Sequence, residues 1–207
     1  MLENKFIIIG YSGHGFVVAD AAIEKNLNII GYAENIVALN NPFQLNFLGN
    51  ENEKDFFLKY KGANYLIGIG NNTIREKIYN LILEKKGEVF TMVSQSASIS
   101  KTAKIGNGTF VNRNVSINSL AQIGENVILN TGCIIEHECL IADSAHIAPG
   151  AVLAGNVKVG ERSFIGANSV IKQGVIIGND VIVGAGAVVI NNIPDRKKIV
   201  GNPSRFV

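Results

Sequence analysis

From residue 99 to residue 189, every sixth position is Ile, Val or Leu, with no insertion. The residue two places before each of these is small or β-branched, as at Ala97, Thr109, Cys133, Ala145, Ser163 and Val181. No helix or sandwich holds a period of six for that length. A parallel β-helix does: in an extended chain, residues two apart point to one side, so both members of each pair face the interior of a coil. Nine of the sixteen positions that follow the aliphatic residue are Gly or Asn. We read them as corners, because these residues tolerate positive φ. With three hexads per coil, about five coils are expected. Cys133 and Cys139 fall in the small inward register and are expected to be buried thiols.

Residues 1–93 have a different texture. Lys5–Gly10 reads as a strand, followed by the glycine-rich turn Gly10-Tyr11-Ser12-Gly13-His14-Gly15 and a helix over Phe16–Asn26. Further strands are expected at Asn28–Ala33, Asn64–Ile69 and Val89–Val93, and helices at Glu51–Tyr60 and from Gly70-Asn71-Asn72 to about Lys86. Alternating strands and helices imply a small parallel α/β sheet. The expected organisation is therefore an α/β domain over 1–93 and a β-helix over 94–207.

Composition narrows the function. A formal charge of +2 leaves no basic footprint for nucleic acid. No apolar run approaches the roughly 20 residues of a membrane helix, and Phe6–Ile9 is too short for a signal peptide's core. A soluble cytoplasmic protein is expected. The Ser12–Gly15 turn lies between a strand and a helix, where free N–H groups can cradle an anion. The Gly70–Asn72 turn follows a later strand, so two polar turns meet at the strand ends where ligands of open parallel sheets bind.

The β-helix holds two of the three histidines, His137 and His146. Both lie outside the inward registers and should project outward. Glu136 and Glu138 flank His137, and a carboxylate beside an imidazole suits a general base. Around this pair the corner residues Glu136, Ala142, Ala148 and Ala154 depart from Gly and Asn. Nine residues separate the two histidines, half of an 18-residue perimeter. A closed three-fold assembly would bring one chain's His137 to another's His146, so a homotrimer is expected.

Taken together, the hexads, Ser12-Gly13-His14-Gly15, Gly68-Ile69-Gly70-Asn71-Asn72 with Arg75, and Asn130-Thr131-Gly132-Cys133-Ile134-Ile135-Glu136-His137-Glu138-Cys139 resemble the sugar O-acyltransferase and sialic acid O-acetyltransferase family. Within it the chain looks closest to bacterial UDP-4-amino-sugar N-acetyltransferases. The resemblance implies a small Rossmann-like domain followed by a left-handed parallel β-helix of hexapeptide repeats. It implies acetyl-CoA as co-substrate, no metal, and a UDP-4-amino-4,6-dideoxy-hexose as acceptor. His137 matches the general base, Glu138 its carboxylate partner and Asn130 a polar residue near the acceptor. His146, Gly155, Ala167 and Ala185 match acetyl-CoA contacts. Ser12, Gly13, His14, Glu34, Asn35, Gly70 and Asn71 match the nucleotide-sugar site, although where the family carries paired acids this chain reads Glu34-Asn35. The residues equally allow O-acetylation of sialic acid or another sugar hydroxyl. A metal hydrolyase on the same β-helix needs three histidines, and a non-catalytic scaffold would need none.

Overall fold

The computed structural model describes residues 4–207, which divide into two compact units between Met92 and Val93.

The first unit is a four-stranded parallel sheet built on an apolar central strand. β1 (Lys5–Ile9) lies between β2 (Asn28–Ala33) and β3 (Asn64–Ile67), and β4 (Glu88–Val89) pairs with β3. Ile7, Ile8 and Ile9 are fully buried, as expected for a strand covered on both faces. Helix α1 (Gly13–Glu24) follows β1, the single-turn α2 (Phe56–Lys59) precedes β3, and α3 (Asn72–Glu84) follows β3. Glycines let the turns close up. A Cβ on Gly15 or Gly68 would collide with the Gly10 carbonyl. The expected helix over Glu51–Tyr60 shrinks to α2, since Gly49 to Asp55 form side-chain-stabilised turns instead, with Asn50 Oδ1 accepting from the Asn52 N–H at 2.8 Å. The expected strand Val89–Val93 is two strands: β4, and Met92–Val93, which pairs into the second unit.

That second unit is a parallel β-solenoid of three sheets, with five, six and eight strands. Successive rungs pair at intervals of 18 residues, as in Ile123 with Ile141 and Ile135 with Leu153. There are about six turns rather than five, because Met92–Val93 and Lys198–Val200 add rungs beyond the strict hexads. The last turn is two residues shorter, pairing Ile177 with Ile193 and Val183 with Ile199. The interior is one continuous apolar column from Val111 to Ile199, with Cys133 and Cys139 in it.

The corners correct the sequence reading. The left-handed residue is the third of each corner, not the first: Asn114, Leu120, Asn126, Gly132, Glu138, Ser144, Gly150 and Asn156 all have φ between 55° and 67°. Glycine at the first corner position serves close stacking of coils instead. A Cβ on Gly106 or Gly160 would come within 2.5 Å of the backbone of Gly124 or Gly178 in the next coil.

Candidate functional site

The cleft of the α/β unit is built by three chain segments. Gly10, Ser12, Gly13 and His14 come from the first turn, Glu34, Asn35 and Glu51 from beyond β2, and Gly68 to Asn71 from beyond β3. They surround about 480 Å³, within the range of a small-molecule pocket. The structure thus brings together Ser12, Gly13, His14, Glu34, Asn35, Gly70 and Asn71. Two helix N-termini bear on this space. Ser12 precedes α1, whose first turn carries no acid, and Asn71 caps α3 by accepting from the Ile74 N–H at 3.0 Å.

Beneath the cleft lies Arg75, 2% exposed. Its Nη1 donates to the Gly70 carbonyl at 3.2 Å and to Asn72 Oδ1 at 3.0 Å, fixing the second turn. Burial lowers its pKa to about 9. Burial, and then the Arg75 charge, lower the His14 pKa to about 4, so the imidazole is neutral at pH 7. Glu34 accepts from the Tyr11 and Asn35 N–H groups, each at 3.1 Å. Glu51 is nearly buried, and its pKa is raised first by burial and also by the Glu34 charge. This second acid is not legible in the sequence, because it lies in a polar segment with neither period nor motif.

The solenoid presents two groups of candidate residues. The first is one corner column. His137 is exposed, and its Nδ1 lies 3.1 Å from Glu138 Oε2. Of the two flanking acids it is therefore Glu138 that holds the ring, with left-handed φ of 59°. Gly155 stacks one coil on, and a Cβ there would overlap the imidazole. Gly155 is buried, and among the described residues nothing accepts from its N–H.

The second group lies on another edge of the prism. Asn112 donates to Asn130 Oδ1 at 3.0 Å, and Asn130 Nδ2 lies 3.3 Å from His146 Nε2. His146 leaves the coil outward, as expected, yet it is only 8% exposed and packs edge-on against the Phe164 ring, centroids 5.0 Å apart. Ala167 and Ala185 stack at the same corner, in the column above Thr131, with the Ala167 carbonyl accepting from the Gly186 N–H at 2.8 Å. Within one chain, then, His137, Glu138 and Gly155 form one cluster, and Asn130, His146, Ala167 and Ala185 line another edge. Among the described residues no cluster of three or more His, Cys, Asp or Glu could hold a metal, and no helix is long and apolar enough to cross a membrane.

Comparison with known proteins fits this architecture. Residues 5–82 match the PglD N-terminal domain, and residues 156–191 match the bacterial transferase hexapeptide, six repeats. The acetyltransferase domain of PglB from Neisseria gonorrhoeae superposes with a TM-score of 0.90 at 28% identity, over 99% of this chain and 100% of that one. PerB from Caulobacter crescentus, solved with CoA and GDP-perosamine, gives 0.93 at 29%, over 99% and 97%. WeeI from Acinetobacter baumannii gives 0.88 at 25%, over 98% and 99%.

Proposed function

We propose that this chain, which resembles the PglB-domain, PerB and WeeI structures over nearly its full length, is a β-helix sugar acetyltransferase that transfers the acetyl group of acetyl-CoA to the amine of a nucleotide-linked amino sugar. The observation that carries this reading is the His137–Glu138–Gly155 cluster, an oriented imidazole beside a buried amide with no acceptor among the described residues, in a chain whose full length follows PerB and the PglB domain.

The α/β cleft holds the nucleotide. Its diphosphate faces the N–H groups at the start of α1, where the helix dipole favours negative charge. Neutral His14 adds a hydrogen-bonding ring without a buried charge. Along the solenoid, Ala167 and Ala185 leave room for the pantetheine arm, with Asn130 and His146 at its acyl end. When Nδ1–H donates to Glu138, Nε2 is left to accept the proton of the attacking amine. Nitrogen attacks the thioester carbonyl, the Gly155 N–H stabilises the oxyanion, and collapse expels CoA as thiolate. No covalent enzyme intermediate is needed. Cys133, with a pKa raised to about 12 by burial, stays a thiol.

The two clusters on separate edges suit a homotrimer in which one chain supplies His137 and its neighbour Asn130 and His146. An outward apolar row supports such self-association: Ile134, Val152, Val170 and Val188 lie on adjacent rungs of one sheet.

UDP is the nucleotide the sequence resemblance favours, whereas PerB was solved with a GDP sugar. The test is release of CoA thiol from acetyl-CoA with a panel of UDP- and GDP-linked 4-amino sugars and free sialic acid. Turnover is expected with a UDP-amino sugar. Turnover with sialic acid alone would replace the reading with O-acetylation.

A further inference from the structure

The inward register holds Cys139 at a place where Ala or Val would fill the column equally well, as at Ala121, Ala151, Val157 and Val175. Its thiol does something those residues cannot. It donates to the Ala154 carbonyl at 3.2 Å. Ala154 to Val157 is the corner that carries Gly155. Many other corners close with a direct bond across the turn, Ala151 N–H to Ala148 carbonyl at 3.2 Å or Cys133 N–H to Asn130 carbonyl at 3.1 Å, whereas among the described residues 112–115 and 136–139, above Ala97 and Ala121, do not. Among the described residues no such bond closes 154–157: the thiol stands in its place.

The same insertion occurs at two of the three hydroxyls in this register; the third, Ser169, turns instead to the Gly166 carbonyl of its own corner at 2.7 Å. Thr109 Oγ1 donates to the Gly124 carbonyl at 2.9 Å and accepts from the Val127 N–H at 3.0 Å. Ser163 Oγ donates to the Gly178 carbonyl at 2.6 Å and accepts from the Val181 N–H at 2.9 Å. Each holds its turn open by one interposed atom.

We propose that Cys139 is a positioning residue, whose thiol sets the Ala154–Gly155 peptide so that the Gly155 N–H meets the reacting carbonyl beside His137. In a trans peptide the C=O and N–H point oppositely. Drawing the Ala154 carbonyl inward onto sulfur therefore aims the Gly155 N–H outward, on the side of the imidazole. Without the thiol the turn closes on its own direct bond, as 118–121 and 172–175 of the same column do, and the donor shifts against His137. A displaced donor weakens stabilisation of the transition state more than binding of either substrate. This rests on the reading of Gly155 as oxyanion donor.

The test compares Cys139→Ser with Cys139→Ala in the full-length enzyme, by steady-state kinetics and by the amide resonance of Gly155. The serine hydroxyl should bridge as Ser163 does and keep kcat within about threefold. The alanine variant should move the Gly155 resonance and lower kcat about tenfold, with both KM values within about twofold. An unmoved resonance in Cys139→Ala overturns the proposal and leaves Gly155 in place. A moved resonance with unchanged kcat removes Gly155 from the chemistry, and the role of Cys139 with it. Equal losses in the serine and alanine variants overturn it too, since they show only a packing defect.

Discussion

In the proposed mechanism the imidazole of His137 acts as the base, and its surroundings say how its loss should read out. Replacing it with alanine should lower kcat by about 10² to 10⁴, the usual share of general base catalysis. Raising the pH should restore part of this, because more of the amine is then unprotonated. A variant that kept both kcat and pH profile would remove His137 from the mechanism. Glu138→Gln should cost less, since the ring remains and only its partner's charge is lost. Neither change should move stability by more than about 0.5 kcal/mol, both side chains being exposed. His14 behaves oppositely. The native state holds it neutral, with a pKa of about 4 against the ordinary 6.5. Between these values the unfolded chain binds a proton that the native chain refuses. Stability should therefore fall as the pH drops from about 6.5 to about 4, by on the order of 3 kcal/mol, with no contribution from this group above that window. Denaturant midpoints against pH should lose this slope in His14→Gln. At the mouth of the same cleft, Gly13 has open space where a Cβ would stand. Gly13→Leu should fold, and should raise the KM for the sugar nucleotide while leaving that for acetyl-CoA nearly unchanged.

Among the elements, what the sequence reveals depends on whether the local pattern and the packing share a period. The solenoid was legible to the residue, because each hexad places an aliphatic side chain and a small one in the same column. The final shortened turn was not, since it runs on the 16-residue pairing of Ile177 with Ile193. The glycines that open the corners serve close stacking of coils rather than a left-handed turn. Gly160 is needed for the approach of the Gly178 backbone, while the left-handed residue of a corner sits two places later. The distinction is testable by melting. Gly160→Ala should destabilise by roughly 1–3 kcal/mol through overpacking. Gly174→Asn, with φ of 73° and open space around it, should cost well under 1 kcal/mol, because asparagine tolerates that conformation. Equal costs would return the corner to a single explanation. In the α/β unit the first turn, β1, β2 and α3 could be read from apolar runs and glycines. Glu51 and the brevity of α2 could not, as side-chain hydrogen bonds among Asn50, Asn52 and Glu53 decide that segment.

At the scale of the whole molecule, the residues assigned to catalysis from the sequence lie on different edges of one prism. His137, Glu138 and Gly155 form one cluster, and Asn130, His146, Ala167 and Ala185 another. On the proposed mechanism one chain holds two half-sites and a complete site needs a second copy, which a homotrimer would supply three times over. Chains carrying His137→Ala and chains carrying Ala167→Trp should each be nearly inactive alone, for the second would block the pantetheine path. Reassembled together at equal amounts, they should form some boundaries at which both half-sites are intact. In a random three-fold ring that is about one boundary in four. The decisive measurement is thiol release from acetyl-CoA and a UDP-amino sugar by such mixed assemblies: recovery toward about a quarter of wild-type kcat is the predicted result, and mixtures that stay as inactive as their parents, although light scattering shows them fully reassembled, would contradict it.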